Sequence, residues 1–426
     1  MNAKDFQPTE ACARALDGAD PLARWRDQFL FPNGPDGSPA LYLCGNSLGL
    51  QPKTTRAAVL EELDDWARFG VEGHFHARHP WYPVHEEFRD MGARLVGARP
   101  GEVVMMNGLT VNLHLLMVSF YRPTASRFKI LIEDSAFPSD IYAAQSQLRV
   151  HGFDPADGLL AAKPRAGEYT LRTDDIVELL REQGEAIALV MLSGVNYFSG
   201  QWFDMPAITA AAHERGCVVG FDCAHAAGNV PLSLHDWNID FAAWCNYKYL
   251  NCGPGAVAAA FVHERHGRNT DLPRFAGWWG NDPATRFRMH LNETFKPVAS
   301  AEAWQLSNPP ILAMAALRAS YAIFDEAGML ALRAKSERLT AYLQFLIDQL
   351  PSSRFSVITP REPDARGCQL SILAHHRPEE LHRSLMNAGV ICDFRPPNVV
   401  RVAPVPLYNS FEDVWRFSRV LAEHVS

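Results

Sequence analysis

Lys248 lies between two tyrosines in Asn246-Tyr247-Lys248-Tyr249, directly after the apolar run Phe241 to Cys245. A lysine among aromatics at the end of a buried strand is unusual, because lysine is rarely buried without a function. Desolvation lowers the pKa of an amine and makes it nucleophilic, as imine chemistry requires. The following Asn251-Cys252-Gly253-Pro254-Gly255 predicts a tight turn that fixes its backbone. One strand earlier, Asp222-Cys223-Ala224-His225 follows a run that ends at Phe221. An aspartate there must find a partner or carry a large desolvation cost. A protonated pyridine nitrogen is one suitable partner; a turn N–H or a nearby base is another. Two further strand ends bear polar groups. Asn107-Gly108-Leu109-Thr110 opens a helix whose free N–H groups attract an anion such as phosphate. Phe137-Pro138-Ser139-Asp140 sets an aromatic, able to stack on a flat ring, beside short polar side chains. Singly, each also reads as an ordinary feature of an α/β turn.

The spacing changes this. A strand-end Asp followed one βαβ step later by a strand-end Lys is the recurring layout of aminotransferase-like pyridoxal-phosphate enzymes. In that layout the Asp keeps the pyridine nitrogen protonated, so that the ring serves as an electron sink, and the Lys forms an imine with the cofactor. The elements that must position these groups are legible as patterns. Val103 to Met106, Phe128 to Ile132, Ile187 to Leu192, Cys217 to Phe221, Phe241 to Cys245 and Ala256 to Val262 read as strands. Helical patterns separate them, one over Leu113, Leu116, Met117 and Phe120, another over Met205 to Arg215 with Pro206 in its first turn. Continuous apolar strands between helices predict an α/β protein with a mostly parallel sheet covered on both faces. Ligands bind such sheets at the carboxyl ends of the strands, where the four polar clusters lie. After Asn308-Pro309-Pro310, two long helical patterns, about Ile311 to Ala327 and Leu330 to Leu350, lead into a mixed α/β tail.

At 426 residues and 47.5 kDa, two domains of unequal size are expected. A net charge of −8 gives no electrostatic reason to expect nucleic-acid or anionic-membrane binding. No apolar run approaches the roughly 20 residues of a membrane helix, and Met-Asn-Ala-Lys-Asp-Phe-Gln has no apolar segment of a secretion signal. The eight cysteines are scattered without a Cys-x-x-Cys pair, as expected of reduced thiols in a cytoplasmic protein.

Beyond layout, the sequence resembles kynureninase over nearly its whole length. The matching segments run from Leu43-Cys44-Gly45-Asn46-Ser47-Leu48-Gly49 through Leu109-Thr110-Val111-Asn112, Phe137-Pro138-Ser139-Asp140 and Ser193-Gly194-Val195. They continue with Phe221-Asp222-Cys223-Ala224-His225, Tyr247-Lys248-Tyr249-Leu250-Asn251, Gly277-Trp278, Ser307-Asn308-Pro309-Pro310 and Arg401-Val402-Ala403-Pro404. The resemblance implies the fold type I (aspartate-aminotransferase-like) architecture, a seven-stranded-type sheet in a large domain over 51–310, and a smaller α/β domain from 1–50 and 311–426. It implies pyridoxal 5'-phosphate held by Leu109, Thr110, Phe137, Pro138, Ser139, Asp140, Ser193, Asp222, His225, Tyr247, Lys248, Trp278 and Asn308. Phe137 would stack on the ring, Asp222 hold the pyridine nitrogen and His225 lie close to the ring. Arg401 resembles the arginine that grips the substrate α-carboxylate, a task suited to its bidentate fork. A homodimer with shared sites is implied, Trp278 and Asn308 coming from the partner subunit.

The implied reaction is hydrolytic Cβ–Cγ cleavage of L-kynurenine or 3-hydroxy-L-kynurenine to L-alanine and anthranilate or 3-hydroxyanthranilate, in tryptophan degradation and NAD biosynthesis. Lys248 would carry the proton from Cα, and Tyr247 would exchange protons with the γ-carbonyl or its hydrate. His74, Ser307 and Asn308 look like the set of relatives that prefer the hydroxylated substrate, through hydrogen bonds the plain substrate leaves unpaired. The sequence departs from the family pattern at Asn281, where His is common, and at Cys252, where a smaller residue is usual.

Three other readings compete. Gly73-His74-Phe75-His76-Ala77-Arg78-His79 crowds three histidines together, which suggests a zinc hydrolase drawing also on Cys223 or His225. The run lacks the His-Glu-x-x-His pattern, however, and Pro80-Trp81 follows at once. A second rival is transamination or cysteine desulfuration on the same fold. A third is a cofactor-binding protein without activity.

Overall fold

The computed structural model describes residues 6–291 and 294–424. Seven strands form the central sheet: β1 (Val103–Met105), β2 (Lys129–Glu133), β3 (Leu159–Ala162), β4 (Ile187–Ser193), β5 (Val218–Asp222), β6 (Phe241–Trp244) and β7 (Ala259–Val262). Their order is β1-β7-β6-β5-β4-β2-β3. β2 to β6 pair in parallel, whereas β7 runs antiparallel to both β6 and β1. Nearly every residue of β4, β5, β6 and β7 is buried, which is why they read as unbroken apolar runs and not as alternation. One core layer includes Leu131, Val190, Val219 and Trp244; the other includes Ile132, Met191, Phe241 and Ala260. These alternate residues point to opposite faces of one sheet. The expected α/β architecture with a mostly parallel seven-stranded sheet is what the chain adopts.

Every strand expected from sequence forms within a residue or two, except that the run from Ala256 becomes strand only at Ala259. The helix over Met205–Glu214 starts as its signals predict: the Asp204 side chain accepts from the Ala207 N–H and Pro206 stands in the first turn.

A second apolar core gathers Cys12, Ala13 and Leu16 of the Glu10–Gly18 helix, then Leu41 and Leu43, then Leu339, Tyr342, Leu343 and the C-terminal elements. Its sheet of four antiparallel strands orders Phe355–Val357, Leu370–Ala374, Val399–Val402 and Asp393–Arg395. The Ile311–Ala327 helix, by contrast, sends Met314, Leu317, Tyr321 and Phe324 into the core of the large sheet, and Leu332 joins them. Residues 22–50 are divided too, since Leu22, Trp25, Phe29 and Leu50 pack with the large core. From this packing we propose a divide inside the Met329–Asp348 helix, after Leu332, in place of one near residue 310.

No helix among the described residues is long and apolar enough to cross a membrane.

Candidate active site

Four strand ends and one helix start enclose a cavity of about 260 Å³ lined by Leu109, Thr110, Phe137, Ser139, Asp140, Ser193, Asp222, His225, Tyr247 and Lys248. Gly108, Val111, Val195, Tyr197 and Ala224 complete it. Ten of the residues singled out in the sequence thus converge on one place.

Lys248 Nζ lies 3.1 Å from Nε2 of His225 and 5.7 Å from the centroid of the Phe137 ring. The backbone beneath it is pinned from outside the sheet. Gly49 N–H donates to the Tyr247 carbonyl at 2.8 Å, and a Cβ on Gly49 would meet the Lys248 carbonyl oxygen at 2.4 Å. Asn251 closes the turn in the left-handed region (φ 55°) while its N–H donates to that same carbonyl at 3.0 Å. The Leu43–Gly49 segment therefore sets the height of Lys248 through backbone contact.

Asp222, at the end of β5, accepts the Ala224 N–H at 2.7 Å. Asp140 and Glu133 are buried beside it. Burial pushes all three carboxyls above their ordinary values, and the nearby Asp222 charge raises Asp140 further. The contact between the two carboxyls pushes Asp140 up and Asp222 down, and Lys248 draws Asp222 down as well. Glu133 takes both the N–H and the hydroxyl of Ser193 and so fixes that side chain from beneath. Burial likewise drives His225 well below the ordinary histidine value, with the positive charges of Lys248, Arg401 and Arg395 adding to it. His225 is thus a neutral ring facing the amine.

At the other end of the cavity, the Leu109–Phe120 helix has no side chain capping its first turn. A Cβ at Gly108 would touch nothing within 4 Å, so the first-turn N–H groups are open to an anion. Thr110 Oγ1 and Ser139 Oγ are 2.9 Å apart at the same mouth.

Three features test whether a flat, phosphorylated cofactor with a cationic ring nitrogen fits. Asp140 Oδ1 and His225 Nδ1 are buried with no partner. Asp222, raised above its ordinary value by burial, is drawn back by the nearby Lys248, and a second cation beside it would stabilise its charge further. Phe137 presents 39% of its surface at the rim, with the Tyr197 ring edge-on to it at 5.2 Å. The residues present fit pyridoxal phosphate.

Other expected residues lie elsewhere. Pro138 opens the Pro138–Val150 helix and does not border the cavity. Arg401 is 1% exposed and stands behind the wall: Nε and Nη2 bind Asp393 at 3.0 and 2.8 Å, and Nη1 donates to the Tyr197 carbonyl at 2.6 Å. Trp278 stacks edge-on against Trp279, and neither it, Ser307 nor Asn308 borders the Lys248 cavity of its own chain. Ser307 and Asn308 are exposed. His74 and Asn308 meet instead in a separate hollow with Trp66, Trp81 and Leu312. The two departures from the family pattern are structural: Asn281 ties Thr285 to Lys296, and Cys252 donates to the Leu250 carbonyl.

The zinc reading does not stand. His74 Nδ1 donates to the Val71 carbonyl, His79 pairs with Glu87 and His76 faces Glu72, so the three do not converge. Cys223 is buried and its thiol is pushed well up.

Sequence reasoning missed Glu133, Tyr197 and Asp393. Glu133 ends an apolar strand, where a polar last residue is ordinary. Tyr197 follows β4 without a motif to mark it, and Asp393 comes near only through the small-domain strand that carries it, where it binds Arg401.

Comparison with known proteins adds three findings. Residues 332–421 match the family model described as the kynureninase C-terminal domain. The kynureninase of Myxococcus xanthus (strain DK1622) is 59% identical over 419 residues, which cover 98% of each chain. Among solved structures, the apo cysteine desulfurase of Thermococcus onnurineus NA1 superposes with a TM-score of 0.72 at 18% identity, covering 91% of this chain and 94% of that one. A C-DES mutant with glycine covalently linked to its PLP cofactor gives 0.73 at 17% identity, covering 93% and 98%. At such identities these two structures speak for the fold alone.

Proposed function

The chain belongs to the kynureninase family, and on that premise we propose which of its residues do the work, which substrate it prefers and how its sites are assembled. It is a pyridoxal-phosphate enzyme that hydrolyses a carbon–carbon bond of kynurenine; the rival activities on this fold are not favoured. When bound, the cofactor supplies an electron sink that makes the substrate Cα–H acidic and the β-carbon able to leave.

Lys248 is the lysine that holds the cofactor and, once released, carries the proton from Cα. Its contact with the neutral His225 ring positions the amine without adding a charge beside it. Asp222 holds the ring nitrogen in its protonated form, and Asp140, itself protonated, keeps Asp222 anionic. Phe137 covers the ring. The open first turn at Leu109 and Thr110, with Ser139, takes the phosphate, and Tyr247, Trp278 and Asn308 support the cofactor. Tyr247, whose hydroxyl burial pushes up, stays protonated and serves as acid toward the γ-carbonyl oxygen. Arg401 receives the substrate carboxylate, oriented by Asp393 and the Tyr197 carbonyl.

The single observation that carries this is the convergence of Asp222, His225, Tyr247 and Lys248 on one cavity. Borohydride reduction of the holoenzyme followed by peptide mapping tests it, together with an assay for alanine release. The pyridoxyl label is expected on Lys248, and a label on any other lysine overturns the assignment.

Trp278 and Asn308 serve the site of a second copy, so the enzyme works as a homodimer in the cytoplasm, within tryptophan degradation and NAD biosynthesis. His74, Ser307 and Asn308 form a polar far wall that favours 3-hydroxykynurenine, while kynurenine is also cleaved. Steady-state kinetics with both substrates decides this: a kcat/KM that greatly favours kynurenine defeats it.

A further inference from the structure

Lys248 follows the carboxyl end of β6. At the opposite end of the same strands three segments approach one another: the turn that closes at Glu102 before β1, the connection that carries His235 before β6, and His263 just after β7. Register brings them together, since Phe261 pairs with Val103 and Val262 with Phe241.

Glu102 is fully buried. Its Oε1 lies 2.9 Å and its Oε2 3.1 Å from His235 Nδ1, and the two oxygens accept the backbone N–H groups of Glu264 at 2.7 Å and Arg99 at 2.8 Å. His263 Nδ1 stands 3.7 Å from Oε1, beyond hydrogen-bond reach, and accepts the Arg265 N–H at 3.3 Å. That nitrogen therefore carries no proton. The His263 nitrogen and a Glu102 oxygen face each other across that gap in a buried place, and a cation between them would take over the nitrogen's lone pair from the Arg265 N–H. The His235 and His263 rings lie face to face, centroids 4.7 Å apart and planes 23° apart, and both turn Nδ1 to the same carboxylate.

The ligand atoms of the three residues all lie within 4.8 Å of one another. A tetrahedral ion with arms of roughly 2.0–2.1 Å needs ligand atoms about 3.3 Å apart, so small side-chain shifts close the site. The nearby guanidinium groups are already paired, Arg99 with Glu264 and Arg265 with Asp240, and His213 and His266 are taken up by Asp240.

We propose that Glu102, His235 and His263 form a binding site for a divalent transition-metal ion such as Zn²⁺, with a fourth position left to water. Two neutral imidazoles and one carboxylate are borderline donors that suit Zn²⁺ over Mg²⁺ or Ca²⁺. The ion would tie the entries of β1 and β6 to the exit of β7. It would act on stability and not on the chemistry at the far end of the strands.

The test is equilibrium dialysis of chelator-treated holoenzyme against Zn²⁺ at neutral pH, with the metal counted by mass spectrometry. About one ion per chain is expected, with a raised Tm that a chelator reverses and affinity that falls as acid protonates the histidines. His235→Gln and His263→Gln should each weaken binding about tenfold or more and leave kynurenine cleavage within about twofold of the parent. His76→Gln, in the exposed histidine run, should change neither. Zn²⁺ binding that survives both central substitutions, or that disappears with His76→Gln, overturns the proposal. So does a parent holoenzyme whose Tm does not move with Zn²⁺, however the variants fold.

Discussion

Asp222 shows how the site sets residue stability against function. Burial raises its pKa, so the folded chain holds its proton to higher pH than the unfolded chain does. Stability from that group is fully present below the ordinary carboxylate range and is lost as pH rises through the raised folded value. Above that value the cofactor-free protein therefore carries a net cost, beyond what the Ala224 N–H, Asp140 and Lys248 compensate, that a cationic ring nitrogen would offset. Asp222→Asn removes the cost and the partner together. The cofactor-free variant should melt at higher temperature than the parent at pH 7, with the gain fading below the carboxylate range, while kcat of the loaded enzyme falls ~10²–10³-fold. A lower Tm for the variant at pH 7 would show that burial does not strain this carboxylate. His225 works in the opposite sense. Its lowered pKa makes its contribution present above the ordinary histidine value and lost as pH falls toward the folded one. Lys248, Asp222, Tyr247 and Phe137 were legible because each breaks the expectation for its place at a strand end. Glu133 was not, because a buried acid under Ser193 has no mark in the sequence until β2 and β4 are laid side by side.

Elements were easiest to read where packing and propensity agree. β4 to β6 are buried on both faces, so apolarity alone marked them. β3, an edge strand of Leu159-Leu160-Ala161-Ala162 only half covered, went unread because short Leu–Ala runs carry no β signature. The N-terminal segment is the element whose role was least visible. Leu43–Gly49 forms no regular structure beyond Leu41–Tyr42, yet it fixes the catalytic turn through Gly49, where a Cβ would lie 2.2 Å from Asn251 Oδ1 and 2.4 Å from the Lys248 carbonyl. Those obstacles include backbone and cannot rotate away. Gly49→Ala should therefore displace the turn, at a cost of about 1–3 kcal/mol in unfolding free energy and with a larger loss in kcat than in stability would suggest. Denaturant titration and alanine-release kinetics on the same preparation read both effects. Parent-like kcat in the variant would mean that the segment merely covers Lys248.

At the scale of the whole molecule, one chain brings Asp222, His225, Tyr247 and Lys248 to one cavity but not the residues expected at its far wall. Trp278, Ser307 and Asn308 all lie outside the Lys248 cavity, and the surface near them is rich in exposed apolar side chains, including Trp66, Phe75, Phe287 and Leu312. Such a patch on a large chain marks an interaction surface, and a two-fold axis through it would give each site a wall from its neighbour. Sequence patterns place residues on elements and not on subunits, which is why only family resemblance separated these groups. Complementation tests the arrangement. On the proposed arrangement, Lys248→Ala removes the lysine of its own site, and Trp278→Ala damages the site of its partner. Each variant alone should be nearly inactive. If subunits exchange, half of an equimolar mixture is hybrid, and one of the two sites in each hybrid carries both substitutions while the other carries neither. Activity should then recover to about a quarter of the parent value. If both residues served the same chain, each site of the hybrid would hold one substitution, and no mixing ratio would restore cleavage.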